Sequence, residues 1–360
     1  MATGLPTAYR HIREHQRPLR FADNGKFRIL HLTDIHEVPI PTADEEYNAA
    51  ERRKSVETIE VMRRCIELAK PDLVIFGGDC ISGYRPETTY EYMRETLKRI
   101  VEPVADKNIP LAVIFGNHDS ETVFTQPFTH RENQMCIYAE YGNLRSTMND
   151  ADIFGCGNCS LPILRSDSNR IAWNIWCIDS NDCIRQPDFS RPVDLGYDYV
   201  HEDQLNWREQ AAEQLAARNG GKPVPSLLFQ HIPLLQVYDI LAEADRDEAG
   251  AFEKFGRYYK VPDGAFVSGA LREPPCPTNE RRDEFESWKK TGDIVAAFFG
   301  HDHSNDFTYE LDGIRLVQTP AVRYHADTGI RGGRLIVIDE NIPDSYETEV
   351  YQFPLFGSKW

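Results

Sequence analysis

The sequence has no apolar run of transmembrane length. Its N-terminus, Met-Ala-Thr-Gly-Leu-Pro-Thr-Ala-Tyr-Arg, lacks the apolar stretch of a secretory leader. Both absences point to a cytoplasmic protein with no membrane partner. Basic residues are few beside acidic ones, 40 against 57, for a net charge of −17. This excludes a general nucleic-acid or anionic-membrane surface, which needs basic patches. Part of the acidic excess suits bound cations. Paired cysteine motifs are missing as well. The eight cysteines are scattered, and the single C-x-x-C, Cys156-Gly-Asn-Cys159, has no second pair nearby to complete a structural zinc site. Reduced, mostly buried thiols are expected. No repeat, low-complexity tract or interdomain linker breaks the chain.

What is present is an ordinary soluble composition, 41% apolar and 27% charged over 360 residues, enough for a large core. Residues 1–25 are polar and basic and read as a surface segment. Phe27-Arg-Ile-Leu-His-Leu-Thr33 reads as a first strand. A helix follows over about Asp44 to Lys70, with Val56, Ile59, Met62 and Ile66 as its apolar stripe. Asp72-Leu-Val-Ile-Phe76 is a second strand, Glu87 to Val104 a second helix, and Ile109 to Phe115 a third strand. Strand–helix–strand alternation predicts parallel strands with right-handed crossovers, all ending on one side. Antiparallel strands are expected over 150–180, a helix over 201–218, and strands at Ser226–Gln230 and Asp293–Phe299. Residues 239–292, long, charged and proline-containing, read as a lid or insertion. The class is α/β.

Five strands end in metal-ligand chemistry: Asp34-Ile-His36, Gly78-Asp79, Asn117-His118, His231 and His301-Asp-His303. Each alone has a plainer reading. Gly116-Asn117-His118-Asp119 suits a β-turn as well as a site, and Asp after Gly-Gly is common in turns. In extended conformation Asp34/His36 and His301/His303 would each point to one face and so to one ion. Mixed nitrogen and oxygen donors suit Mn, Zn or Fe rather than Ca or Mg. Their number exceeds one tetrahedral site and suits two ions sharing a carboxylate, the arrangement used for displacement at phosphorus.

The ordered set Asp-x-His, Gly-Asp, Gly-Asn-His-Asp, His, Gly-His-x-His resembles the calcineurin-like metallophosphoesterase superfamily. The stretches His31-Leu-Thr-Asp-Ile-His36, Gly196-Tyr-Asp-Tyr and Phe299-Gly-His-Asp-His-Ser-Asn-Asp306 resemble its purple-acid-phosphatase-like branch. The resemblance implies a four-layer α-β-β-α sandwich of two mixed sheets flanked by helices, formed by residues 26–360 as one domain. It implies one ion on Asp34, His36 and His303, a second on Asn117, His231 and His301, and Asp79 bridging them. It further implies a metal-bridging hydroxide attacking phosphorus, with His118 protonating the leaving group. Asp119 either orients His118 or serves the turn. The tyrosine ligand of purple enzymes is absent: that position is Ser82, and Tyr84 is out of register. The expected activity is hydrolysis of a small phosphorylated substrate, first a phosphomonoester. A phosphodiesterase or nucleotide pyrophosphatase is the alternative, and a non-catalytic scaffold of the same fold a third.

Overall fold

The computed structural model, which describes residues 17–185, 194–323 and 330–353, begins with a strand where a surface segment was expected. Strand β1 (Leu19–Arg20) lies parallel to β5 (Cys159–Leu164). Leu19 and Phe21 are buried in the core. Two apolar side chains outweigh the polar composition around them, and their burial draws the segment onto the sheet edge.

Strand β2 (Lys26–Leu32) alternates as its sequence does. Phe27 and Ile29 face one core and Leu30 and Leu32 another. It pairs in parallel with β3 (Leu73–Gly77), and β3 with β4 (Leu111–Ile114). The antiparallel strands β16 (Gly332–Asp339) and β17 (Ile342–Gln352) complete a five-stranded sheet. The second sheet has seven strands in the order β1, β5, β6 (Ile171–Cys177), β9 (Ser226–Phe229), β13 (Ile294–Phe299), β15 (Ile314–Gln318), β14 (Thr308–Leu311). Leu73, Ile75 and Ile114 of the first sheet meet Trp173, Ile175, Phe229 and Phe298 of the second in a dry layer between them.

Helices cover both outer faces. Helices α1 (Glu45–Ala69), α2 (Tyr90–Ala105) and α3 (Arg131–Ala139) pack on the five-stranded sheet. Helices α4 (Glu202–Arg218) and α5 (Glu284–Thr291) pack on the seven-stranded one. The result is the four-layer sandwich. The Asp44 side chain caps α1 by accepting from Tyr47 N–H, and Lys70 closes it in the left-handed region. Ile59, Met62 and Ile66 form the buried stripe of α1, but Val56 is 71% exposed and falls outside it.

Residues 239–292 are more ordered than their composition suggests. They carry a three-stranded antiparallel sheet of β10 (Ala242–Glu243), β12 (Arg257–Lys260) and β11 (Phe252–Lys254), and then α5. A hairpin of β7 (Cys183–Arg185) and β8 (Asp194–Tyr197) stands beside this insertion. All eight cysteines are free thiols, the C-x-x-C pair included. Among the described residues no helix is long and apolar enough to cross a membrane.

Candidate metal centre

Parallel pairing brings the ends of β2, β3 and β4 to one edge, and those of β9 and β13 to the facing edge of the other sheet. Backbone bonds lock the loops together there. Asp34 N–H donates to Gly78 O at 3.0 Å, His36 N–H to Asp79 O at 2.8 Å and Gly300 N–H to His231 O at 3.1 Å. The side chains form two groups whose donor atoms lie within 4.8 Å of one another: Asp34, His36, Asp79 and His303, and Asp79, His231 and His301. Asp79 belongs to both. Asn117 is buried at the end of β4, beside His118.

Each carboxylate divides its oxygens between protein and centre. Asp34 Oδ2 accepts from Thr33 Oγ1 at 2.7 Å and from His301 N–H at 3.0 Å. Its Oδ1 faces His303 Nε2 at 3.4 Å and His36 Nε2 at 3.6 Å. Asp79 Oδ1 accepts from His118 N–H at 2.7 Å, while Oδ2 lies 3.1 Å from His231 Nε2 and 3.6 Å from His36 Nε2. His231 Nδ1 is engaged by Gly77 O at 2.8 Å, which turns Nε2 inward. Asp34 Oδ1, Asp79 Oδ2, His231 Nε2 and His301 Nε2 are buried without a hydrogen bond. Orphaned buried donors and acceptors are costly unless something pairs with them. Carboxylate and imidazole atoms gathered this closely fit cations of the Mn, Zn or Fe kind.

The electrostatics point the same way. Burial opposes the charged form of Asp79, but His231, His118 and His36 outweigh it and hold the carboxyl below its ordinary range. Burial likewise opposes a charged His231, but Asp79 and Asp34 push it up to about 10. Burial, aided by His231, lowers His301 to about 3. Negative charge in excess of cations is thus balanced by protons on imidazole, which bound cations would release.

The backbone around this centre is unusual. Asp34, His36, Asp79 and His301 all occupy the left-handed region, at φ 53°, 46°, 50° and 71°. The x-spaced ligands therefore do not share a face by extended geometry, as the sequence suggested; tight turns aim them instead. Gly300 is needed for close approach, since a Cβ there would collide with Thr33 Oγ1 and lie 2.7 Å from Asp34 Oδ2.

His118 rests edge-on against His36, with ring centroids 5.1 Å apart. Its Nδ1 is 2.7 Å from Glu121 Oε2. Burial disfavours its charged form, but Asp79 and Glu121 push it up to about 9. Of the two roles the sequence left open for Asp119, its contacts are those of the turn residue and not of a partner for His118. The Asp119 carboxylate accepts from the backbone N–H groups of Asp79, Cys80, Ile81 and Gly116 at 2.7–3.0 Å. It ties the turn after β3 to the turn after β4 and so sets where Asp79 and Asn117 stand.

Other residues take supporting places. Tyr84 Oη donates to Asp119 O and is in neither ligand group. Asp302 accepts from Cys276 N–H, Asn305 and Gln318. Arg323 and His325 follow the strand that ends near Thr319, a position that in sequence suggests the surface rather than contact with substrate; Arg323 is instead buried and binds His36 O and Glu51. His325 lies outside the described residues. Sequence reasoning missed Glu121 altogether and misplaced Arg323. A carboxylate three residues past His118, at one helical turn's spacing, was the available signal for the first.

Comparison with known proteins agrees with this architecture. The family profile described as calcineurin-like phosphoesterase matches residues 27–305. The chain is 29% identical to "Probable inactive purple acid phosphatase 29" of Arabidopsis thaliana, over 91% of this chain and 80% of that protein. It is 25% identical to "Phosphatase DCR2" of Saccharomyces cerevisiae, over 82% of this chain and 47% of that protein. Among solved structures, a dimetal phosphatase from Danio rerio superposes with a TM-score of 0.52 at 12% identity, covering 90% of this chain and 99% of the other.

Proposed function

The chain belongs to the calcineurin-like phosphoesterase family, and from that premise we propose that it is a two-metal phosphoester hydrolase acting on small phosphomonoesters. One observation carries the reading: Asp79 is common to two groups of buried ligand atoms, several of which have no hydrogen bond. On this reading Asp34, His36 and His303 hold one ion, Asn117, His231 and His301 the other, and Asp79 both. The phosphoesterase domain takes in β1 as well as the expected residues from 26 onward, with 239–292 as an insertion at its rim. Ions of the Mn, Zn or Fe kind would supply positive charge for phosphoryl oxygens and a lowered pKa for water.

The protein's own contribution is position and proton supply. The turns after β2, β3, β4 and β13 hold the ligand atoms within one small volume. Glu121 holds a proton on Nδ1 of His118, so Nε2 has one to give in the imidazolium form, which Asp79 and Glu121 favour against burial. The raised pKa of His118 keeps that proton at neutral pH until a leaving alkoxide takes it. Charge on Asp79 and Glu121 stabilises the imidazolium beforehand.

The relatives' names raise a second reading, a non-catalytic binding protein. The candidate ligand positions and His118 are all filled here, which favours turnover. Phosphodiester or nucleotide pyrophosphate hydrolysis would use the same centre, with a second substituent on the phosphorus to be housed at the rim. The test is a screen of metal-reconstituted protein against p-nitrophenyl phosphate, its bis ester and a nucleotide pyrophosphate, with metal content measured alongside. Two ions per chain and monoester turnover are expected. Two ions and no turnover on any ester would leave a binding protein.

A further inference from the structure

Tyr197 stands beside the centre at His301. Its ring meets His301 edge-on, with centroids 4.5 Å apart and planes at 87°. His118 meets His36 instead. His36 and His301 belong to different ligand groups, so Tyr197 and His118 flank different candidate ions.

The backbone that carries the ring is held from two sides. Tyr197 N–H donates to Asn279 Oδ1 at 3.1 Å, and Asn279 N–H donates back to Tyr197 O at 3.3 Å. The Asn279 carboxamide fills the space where a Cβ on Gly196 would stand, and Gly196 has φ 109°. Glycine is therefore required there twice over, by conformation and by space. On the opposite edge Tyr197 pairs with Cys183 across β7 and β8. The strand of chain holding Asn279 is itself anchored, since Thr278 N–H donates to Pro233 O, two residues beyond His231. Packing on His301 would need only the ring. The Tyr197 hydroxyl makes no hydrogen bond among the described residues.

We propose that Tyr197 contacts the substrate, its hydroxyl donating to a non-bridging oxygen of the phosphoryl group. The assignment rests on the phosphoester hydrolase reading. A neutral, oriented O–H suits this place, because the candidate ions already supply charge while a hydrogen bond adds direction. Asn279 is the positioning residue, carrying the insertion's influence to the site through the Tyr197 backbone.

The experiment compares manganese-loaded wild-type chain with Tyr197→Phe and Asn279→Ala. Inorganic phosphate is the calorimetric probe, and p-nitrophenyl phosphate hydrolysis and metal content are followed beside it. Tyr197→Phe keeps the ring on His301. It should retain two ions per chain and the wild-type melting temperature, yet bind phosphate roughly tenfold more weakly, with KM raised to match. Asn279→Ala should weaken phosphate in the same direction. Equal phosphate affinity in wild type and Tyr197→Phe overturns the Tyr197 assignment and leaves the hydrolase reading intact. A wild type that binds phosphate but turns over no ester overturns the hydrolase reading; the Tyr197 contact then stands or falls on the phosphate affinity of the Phe variant. A metal-loaded wild type that binds no phosphate overturns both.

Discussion

Glu121 Oε2 lies 2.7 Å from Nδ1 of His118, and the carboxylate follows the imidazole by three residues within one turn of chain. The pair fixes the ring's orientation and leaves Nε2 as its outward nitrogen. Glu121→Gln keeps an acceptor but removes the charge that favours imidazolium. Turnover should fall about tenfold for alkyl phosphates and less for nitrophenyl phosphate, whose leaving group needs little protonation. His118→Ala should cost roughly 10²–10⁴-fold on the same substrates. Both variants should keep about two ions per chain by elemental analysis, as expected of a residue outside the ligand set.

Asp79 sits in both ligand groups, so its replacement cannot spare either ion. Asp79→Asn should lower occupancy at both positions together and remove activity with them. Elemental analysis after dialysis against limiting metal decides the point. A variant that keeps full occupancy and rate would remove the bridging role.

Asp119 gathers four backbone N–H groups that no other residue can satisfy. Asp119→Ala strands these donors in the interior and should destabilise the metal-free chain by on the order of 3–5 kcal/mol in urea unfolding. Asp119→Asn retains one acceptor oxygen and should lose less. His118 should remain protonated in both, since its partner is Glu121.

Glu284 gives a pH dependence remote from the centre. Burial pushes its carboxyl up from 4.5 to about 8, and Arg208 and Gln230 only partly offset this. Its Oε1 has no hydrogen bond. A carboxyl raised on folding binds more protons in the native than in the unfolded state. Its contribution is therefore complete below pH 4.5 and lost as pH rises through about 8. Glu284→Gln should remove that slope. The variant should gain on the wild type by roughly 2–4 kcal/mol between pH 5 and pH 8.5, measured by denaturant titration at each pH.

Much of the architecture was legible because it depends on local pattern. The apolar runs Leu73–Gly77 and Leu111–Ile114 gave parallel strands, and parallel strands put their polar ends together. The candidate ligands were legible for the same reason. Other features needed the third dimension. Leu19 and Phe21 join the core although the residues around them are polar. Asp119 looks in sequence like a partner for its neighbour His118, yet adjacent side chains in a tight turn diverge, and Glu121 reaches the ring instead. Arg323 is written beside a strand end like a surface residue, but it is buried against Glu51 and the His36 carbonyl. The role of Asn279 depends on an insertion folding back, which no local pattern announces.

Left-handed backbone at Asp34, His36, Asp79 and His301 has a thermodynamic consequence. Each such residue costs about 1 kcal/mol or more relative to ordinary conformations, so the four together cost at least about 4 kcal/mol. Where these turns belong to the folded chain, the cost falls on folding and is part of what ion binding would offset. The chain's melting temperature should accordingly climb with the logarithm of free metal concentration, so that a thermometer reads the occupancy of the centre.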